Sequence, residues 1–104
     1  MEEKVKLTYL FDFYGELLTP QQRKLCELYI FDDLSFSEIA EQEGITRQGA
    51  HDLVRRCEKK LLDYEEKLKL YEKYLTVKEK AEKARGLTCN EKLLSLLTEI
   101  VEAF

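Results

Sequence analysis

Phe36-Ser37-Glu38-Ile39-Ala40-Glu41-Gln42-Glu43-Gly44-Ile45-Thr46-Arg47-Gln48-Gly49-Ala50-His51-Asp52-Leu53-Val54-Arg55 is the stretch that decides how this chain folds. Two helices meeting at a sharp angle through a three-residue turn need particular residue types at set places. Ile39 and Ala40 fall on the inner face of the first helix, and Ala40 is small enough for a second helix to cross close by. Gly44 supplies left-handed turn dihedrals that only glycine adopts without a steric cost. Ile45 plugs the space beneath the turn, while Ala50 and Leu53 take the inward positions of the second helix. Any one of these residues is a weak signal. Together they specify a helix-turn-helix.

On that geometry the outward face of the second helix is its first turns: Thr46, Arg47, Gln48, His51, Asp52 and Arg55. Gln and Arg can each make two hydrogen bonds to a base edge, to adenine and guanine respectively. Thr46 and the free N–H groups at the helix start suit a phosphate. Arg55, Arg56, Lys59 and Lys60 lie further along, placed for the nucleic-acid backbone. The expectation is a contact with double-stranded DNA made by Thr46, Arg47, Gln48, His51, Arg55, Arg56, Lys59 and Lys60, with Arg47 and Gln48 nearest the bases. Gly49 inside this helix costs ~1 kcal/mol relative to Ala, which points to a close approach by a phosphate or another helix. Asp52 would oppose a polyanion that it faced.

The charge pattern singles out the same segment. The chain carries 17 basic and 21 acidic side chains, a net charge of −4. Residues 19–44 hold two basic against six acidic groups, whereas residues 45–61 reverse the sign, with Arg47, Arg55, Arg56, Lys59 and Lys60 against Asp52 and Glu58. Association responds to the field within a Debye length, ~8–10 Å, so a local cationic patch counts for more than an acidic total.

Helix starts can be read on either side of the motif. Residues 4–18 space Leu7, Leu10, Phe11, Tyr14, Leu17 and Leu18 by three and four, one broad apolar helical face. Thr19-Pro20-Gln21-Gln22 reads as N-cap, proline at the first helical position and a capping box, opening a helix to about Phe31. Ser35-Phe36-Ser37-Glu38 is a second capping box, and Thr46 caps the helix after the turn. No breaker follows until about Thr76, so this fourth helix is expected to approach 30 residues, about 45 Å. Glu79–Arg85 continues it or forms a short helix; Gly86 interrupts, and Asn90 caps a last helix carrying Leu93, Leu94, Leu97, Ile100, Val101 and Phe104. Nothing alternates with period two, so the fold class is all-α.

At 104 residues and 12.3 kDa, with four Gly and one Pro, the chain is expected to make a single helical domain over 1–104. Within it, 19–62 is the helix-turn-helix core and 63–104 the long-helix extension with the C-terminal helix. No apolar run approaches the ~18 residues of a membrane span. Met1-Glu2-Glu3-Lys4 lacks the basic-then-apolar character of a secretory signal, so the expected location is cytoplasmic. Cys26, Cys57 and Cys89 form no C-x-x-C pair and His51 is the only histidine, which gives no metal motif and reads as reduced thiols. No nucleophile–base pair is visible, so neither catalysis nor a cofactor is expected.

Thr19-Pro20-Gln21-Gln22-Arg23, Leu34-Ser35-Phe36-Ser37-Glu38-Ile39-Ala40-Glu41, Gly44-Ile45-Thr46-Arg47-Gln48 and Glu58-Lys59-Lys60-Leu61 resemble region four of bacterial sigma factors, which holds their promoter-reading helix-turn-helix. That similarity covers about residues 16–62. Glu43, where such motifs are usually apolar, and Ala50, where a larger branched residue is usual, depart from the pattern. The whole chain, with its N-terminal aromatic helix and the continuation Asp63-Tyr64-Glu65-Glu66-Lys67-Leu68, more closely resembles the YlxM family of small bacterial proteins. Its members are regarded as candidate DNA-binding regulators of transcription, and their genes neighbour those of signal recognition particle components. The resemblance therefore implies a link to that targeting pathway. It leaves two readings open: a DNA-binding regulator, or a protein-interaction module in which the helix-turn-helix is only a scaffold for binding a signal recognition particle component.

Ala50, Val54, Cys57, Leu61, Tyr64, Leu68, Tyr71 and Leu75 follow one another by alternating fours and threes, an unbroken heptad seam. A compact three-helix unit cannot cover its whole length. Bulky Tyr64 and Tyr71 favour the first and last helices folding back on it over a narrow two-stranded seam. A homodimer is the alternative, because residues 93–104 are apolar on more than one face.

Overall fold

Local capping chemistry sets most of the helix boundaries. The computed structural model describes residues 2–104. Its helices are α1 (Glu2–Tyr14), α2 (Pro20–Ile30), α3 (Phe36–Glu43), α4 (Arg47–Leu68), α5 (Leu70–Arg85) and α6 (Glu91–Glu102), with a 3-10 turn over Gly15–Leu17. The described residues form no strand. Both capping boxes close: Thr19 Oγ1 accepts from the Gln22 N–H while Gln22 Oε1 accepts from the Thr19 N–H, each at 3.2 Å. Ser35 and Glu38 make the same exchange at 3.1 and 3.0 Å. The carboxyl of Glu38 is held below its ordinary pKa, first by the Ser35 backbone N–H and then by its hydroxyl. Asn90 Oδ1 caps α6 by accepting from the Leu93 N–H at 3.1 Å.

The chain divides into two compact units, Met1–Leu68 and Lys69–Phe104. In the first, Leu25 and Leu28 of α2, Ile39 and Ala40 of α3, and Ala50 and Val54 of α4 form one buried cluster, with Tyr29, Leu34, Phe36, Ile45 and Leu53 packed around it. Leu7, Leu10, Phe11 and Tyr14 of α1 are also buried, as are Leu18, Cys26, Cys57 and Leu61. Helix α1 folds back on α4, where the Tyr14 hydroxyl donates to Glu65 Oε1 at 2.7 Å and its ring lies 5.9 Å from that of Tyr64. Leu17, expected on the buried face, is instead 54% exposed. The chain tightens to a 3-10 turn there, and three residues per turn rotate Leu17 off the α-helical stripe.

The second unit is the hairpin of α5 and α6. Arg85 Nη2 donates to Thr98 Oγ1 at 2.6 Å, and the Tyr74 and Phe104 rings meet edge to face at 5.8 Å. Glu79–Arg85, open between two readings, is the end of α5. The fourth helix, expected to run to about Thr76, has 22 residues and stops at Leu68. Lys69 takes the left-handed conformation, φ 55° and ψ 31°, and a new helix begins at Leu70. One residue turned out of the right-handed region interrupts the i→i−4 ladder without any glycine or proline, which is why composition gave no warning.

Candidate nucleic-acid interface

The turn between α3 and α4 is built as a helix-turn-helix requires. Gly44 closes α3 at φ 67° and ψ 34°, and a Cβ there would meet no atom within 4 Å, so the backbone conformation alone demands glycine. The Ile45 N–H donates to Ala40 O at 3.0 Å, tucking the turn under α3. Thr46 caps α4: its Oγ1 accepts from the Gly49 N–H and its carbonyl from the Ala50 N–H, both at 2.9 Å. A Cβ on residue 49 would lie 3.0 Å from that hydroxyl. The tight neighbour of Gly49 is therefore the cap of its own helix.

The two departures from the sigma-like pattern are both accommodated. Ala50 is fully buried, and its small side chain sets how near α4 lies to α2 and α3. Half-buried Glu43 is met by Lys24 of α2, Nζ to Oε1 at 3.1 Å.

The eight expected contact residues fall into three groups. Arg47, Arg56 and Lys59 are exposed, with no ion pair among the described residues. Gln48, His51 and Arg55 are tied to neighbours. Gln48 Nε2 donates to Asp52 Oδ1 at 2.9 Å, and His51 Nδ1 lies 3.2 Å from the same oxygen. Arg55 Nη1 donates to Glu58 Oε1 at 2.7 Å and its guanidinium sits 5.6 Å from the Phe36 ring centroid. The His51 ring meets Phe36 edge-on at 5.0 Å, and Phe36 in turn stacks on Tyr29 at 5.3 Å. Thr46 is spent on its cap, and Lys60 turns toward α2, donating to Gln22 Oε1 at 3.2 Å.

Asp52 organises this surface. Its carboxyl is held below its ordinary pKa, first by the hydrogen bond with His51, then by that from Gln48, with Arg56 adding a smaller attraction. The sequence marked Asp52 only as an obstacle to a polyanion; the four-residue step from Gln48 was the signal for its second role. Phe36, an aromatic floor under both His51 and Arg55, went unassigned because its partners lie on the next helix. The outer side of α3 presents exposed Glu38 and Glu41, which with Leu34 and Gln42 line a shallow pocket. Arranged this way, α4 can offer three unencumbered cations to phosphates or base edges, and Gln48 only after it leaves Asp52.

Comparison with known proteins places the chain. The family model described as "Putative helix-turn-helix protein, YlxM / p13 like" (UPF0122) matches residues 1–100. The UPF0122 protein YlxM of Bacillus subtilis is 40% identical over 103 residues, covering 99% of this chain and 94% of that protein. A UPF0122 protein of Clostridium acetobutylicum is 55% identical over 74 residues, 71% of this chain and 64% of the relative's length. One from Geobacillus kaustophilus is 50% identical over 74 residues, 71% of this chain and 67% of its own.

Proposed function

This chain belongs to the YlxM/p13-like helix-turn-helix family, UPF0122, and from that premise we propose that it binds double-stranded DNA through α4 as an accessory regulator of transcription in the cytoplasm. The observation that carries the reading is the trio Arg47, Arg56 and Lys59, exposed and without ion pairs among the described residues, on the helix that follows the turn. Arg47 stands at the first helical position, where a recognition helix contacts base edges. Arg56 and Lys59 reach phosphates. Gln48 must exchange its bond to Asp52 for one to adenine, so sequence preference is modest and electrostatics dominate affinity. Two phosphate contacts give a salt slope of about −2 in log K against log salt.

An anisotropy titration against duplex DNA across salt concentrations tests this. The Arg47→Ala/Arg56→Ala/Lys59→Ala variant is expected to bind at least about tenfold more weakly with a flattened slope. Arg55→Ala, whose guanidinium is already paired to Glu58, is expected to change affinity less. Equal affinity of the triple variant and wild type overturns the proposal.

A second reading has one observation in its favour. The side of α3 that crosses the phosphate backbone in a DNA complex carries Glu38 and Glu41. With those acids in contact, the helix-turn-helix serves as a scaffold and the partner is a protein, for which the family resemblance suggests a signal recognition particle component. Co-purification of such a component that survives nuclease treatment, together with no duplex binding, favours this reading over the first.

A further inference from the structure

The α5–α6 hairpin lacks a core of its own. Among the described residues of 69–104 only Ala81 is buried, and units below about 40 residues usually need a disulfide, a metal or self-association to hold a fold. Helix α6 carries two apolar stripes. Leu94, Leu97 and Val101, with Thr98 among them, are half-buried on the side that Arg85 reaches from α5. Leu93, Leu96 and Ile100, at steps of three and four, are 43%, 53% and 52% exposed, while Phe104, just past the helix end, turns to Tyr74 of α5.

Charge selects what covers the second stripe. Lys92 and Glu99 stand seven residues apart along one border of it, both exposed and neither ion-paired among the described residues. Two such helices packed antiparallel set each Lys92 against the partner's Glu99. A parallel arrangement brings opposite borders of the stripe together, so the Lys92–Glu99 pairing is not made. A helix edge with opposite charges two turns apart is therefore self-complementary in one orientation only.

We propose that the Leu93, Leu96 and Ile100 stripe of α6 is the contact between two copies of this chain, packed antiparallel about a two-fold axis. Two hairpins joined there make a four-helix arrangement whose shared core neither hairpin has alone. The proposal stands independently of DNA binding.

Sedimentation equilibrium of the full chain tests it. Wild type is expected to be dimeric at about 100 μM, with a dissociation constant in the micromolar range. Ile100→Glu is expected to be monomeric with its helical circular dichroism retained, because Ile100 is already half exposed in the single chain. Lys92→Glu and Glu99→Lys are each expected to weaken self-association about tenfold. An equimolar mixture of those two variants is expected to regain wild-type affinity, which neither misfolding nor an unrelated contact would produce. A wild-type monomer at that concentration overturns the proposal, whichever other surface covers the stripe. So does a dimer that survives Ile100→Glu, or a mixture no tighter than the separate variants.

Discussion

The heptad seam is uniform in sequence and divided in structure. Ala50, Val54, Cys57 and Leu61 have no exposed surface, whereas Leu68 and Leu75, continuing the same rhythm, are 47% and 44% exposed. Helices α1, α2 and α3 all pack on α4, and α1 still meets the seam at Tyr64; beyond it Leu68 stands exposed, and at Lys69 the helix itself breaks. Polar groups follow the same division. Cys57 Sγ finds Gln22 O at 3.4 Å, and the Cys26 thiol is pushed up in pKa by its hydrogen bond with Cys57 and by burial, so it stays protonated in a satisfied core. Among the described residues, the one buried side-chain nitrogen or oxygen lacking a hydrogen bond is Arg85 Nε, in the hairpin. A heptad repeat records a capacity for burial; the surfaces that arrive decide how much of it is used.

That contrast breaks if truncations at the two ends of the seam cost the same. Leu61→Ala is expected to lower stability by about 2–4 kcal/mol, the usual range for a fully buried leucine, and Leu75→Ala by less than about 1 kcal/mol, both read from urea unfolding followed by helical circular dichroism. Two of the three left-handed residues among the described ones, Gly44 and Lys69, give smaller effects of opposite sign. Gly44→Ala is expected to destabilise by about 1–2 kcal/mol through the backbone alone, since the site has room for a methyl group. Lys69→Gly removes a comparable steric strain but adds chain entropy to the unfolded state, leaving a gain of about 0.5 kcal/mol. A loss at Lys69→Gly would mean that the break between α4 and α5 does not persist in solution.

What could be read from the sequence was what neighbours in the chain decide. The caps at Thr19, Ser35, Thr46 and Asn90 and the turn at Gly44 each depend on residues within three or four positions. Leu17 escaped because its stripe assumed 3.6 residues per turn where the chain uses three. Lys69 escaped because no residue preference marks it. For the candidate interface, outward orientation could be read but availability could not. Lys60 is engaged by Gln22, 38 residues away, and His51 rests on Phe36 of the preceding helix. The pairs Gln48–Asp52 and Arg55–Glu58 were within reach, at steps of four and three. They are found only by testing each side chain against its helical neighbours before assigning it to a ligand.

The subtlest expected effect lies on the cationic face, where Asp52 both ties down Gln48 and His51 and opposes a polyanion. Its folded pKa is depressed by His51 and Gln48, so its contribution to stability is present above the ordinary carboxylate value of 3.8 and lost as pH falls through the lower folded value. Asp52→Asn keeps an oxygen for Gln48 and removes the charge. Wild type is therefore expected to melt slightly above this variant at neutral pH, with the gap closing as pH drops below the carboxylate range. The side chain is exposed, so solvent screens the interaction and the gap is small. Hydrogen exchange in the first turns of α4 is expected to follow the change, while α5 and α6 do not respond. At neutral pH the same substitution takes a negative charge off the face that carries Arg56 and weakens the hold on Gln48 to a neutral hydrogen bond, so duplex affinity is expected to rise. A variant that melts lower yet binds DNA more tightly separates the residue's structural service from its electrostatic opposition; a variant that binds less tightly means that Asp52 orders this face for its partner.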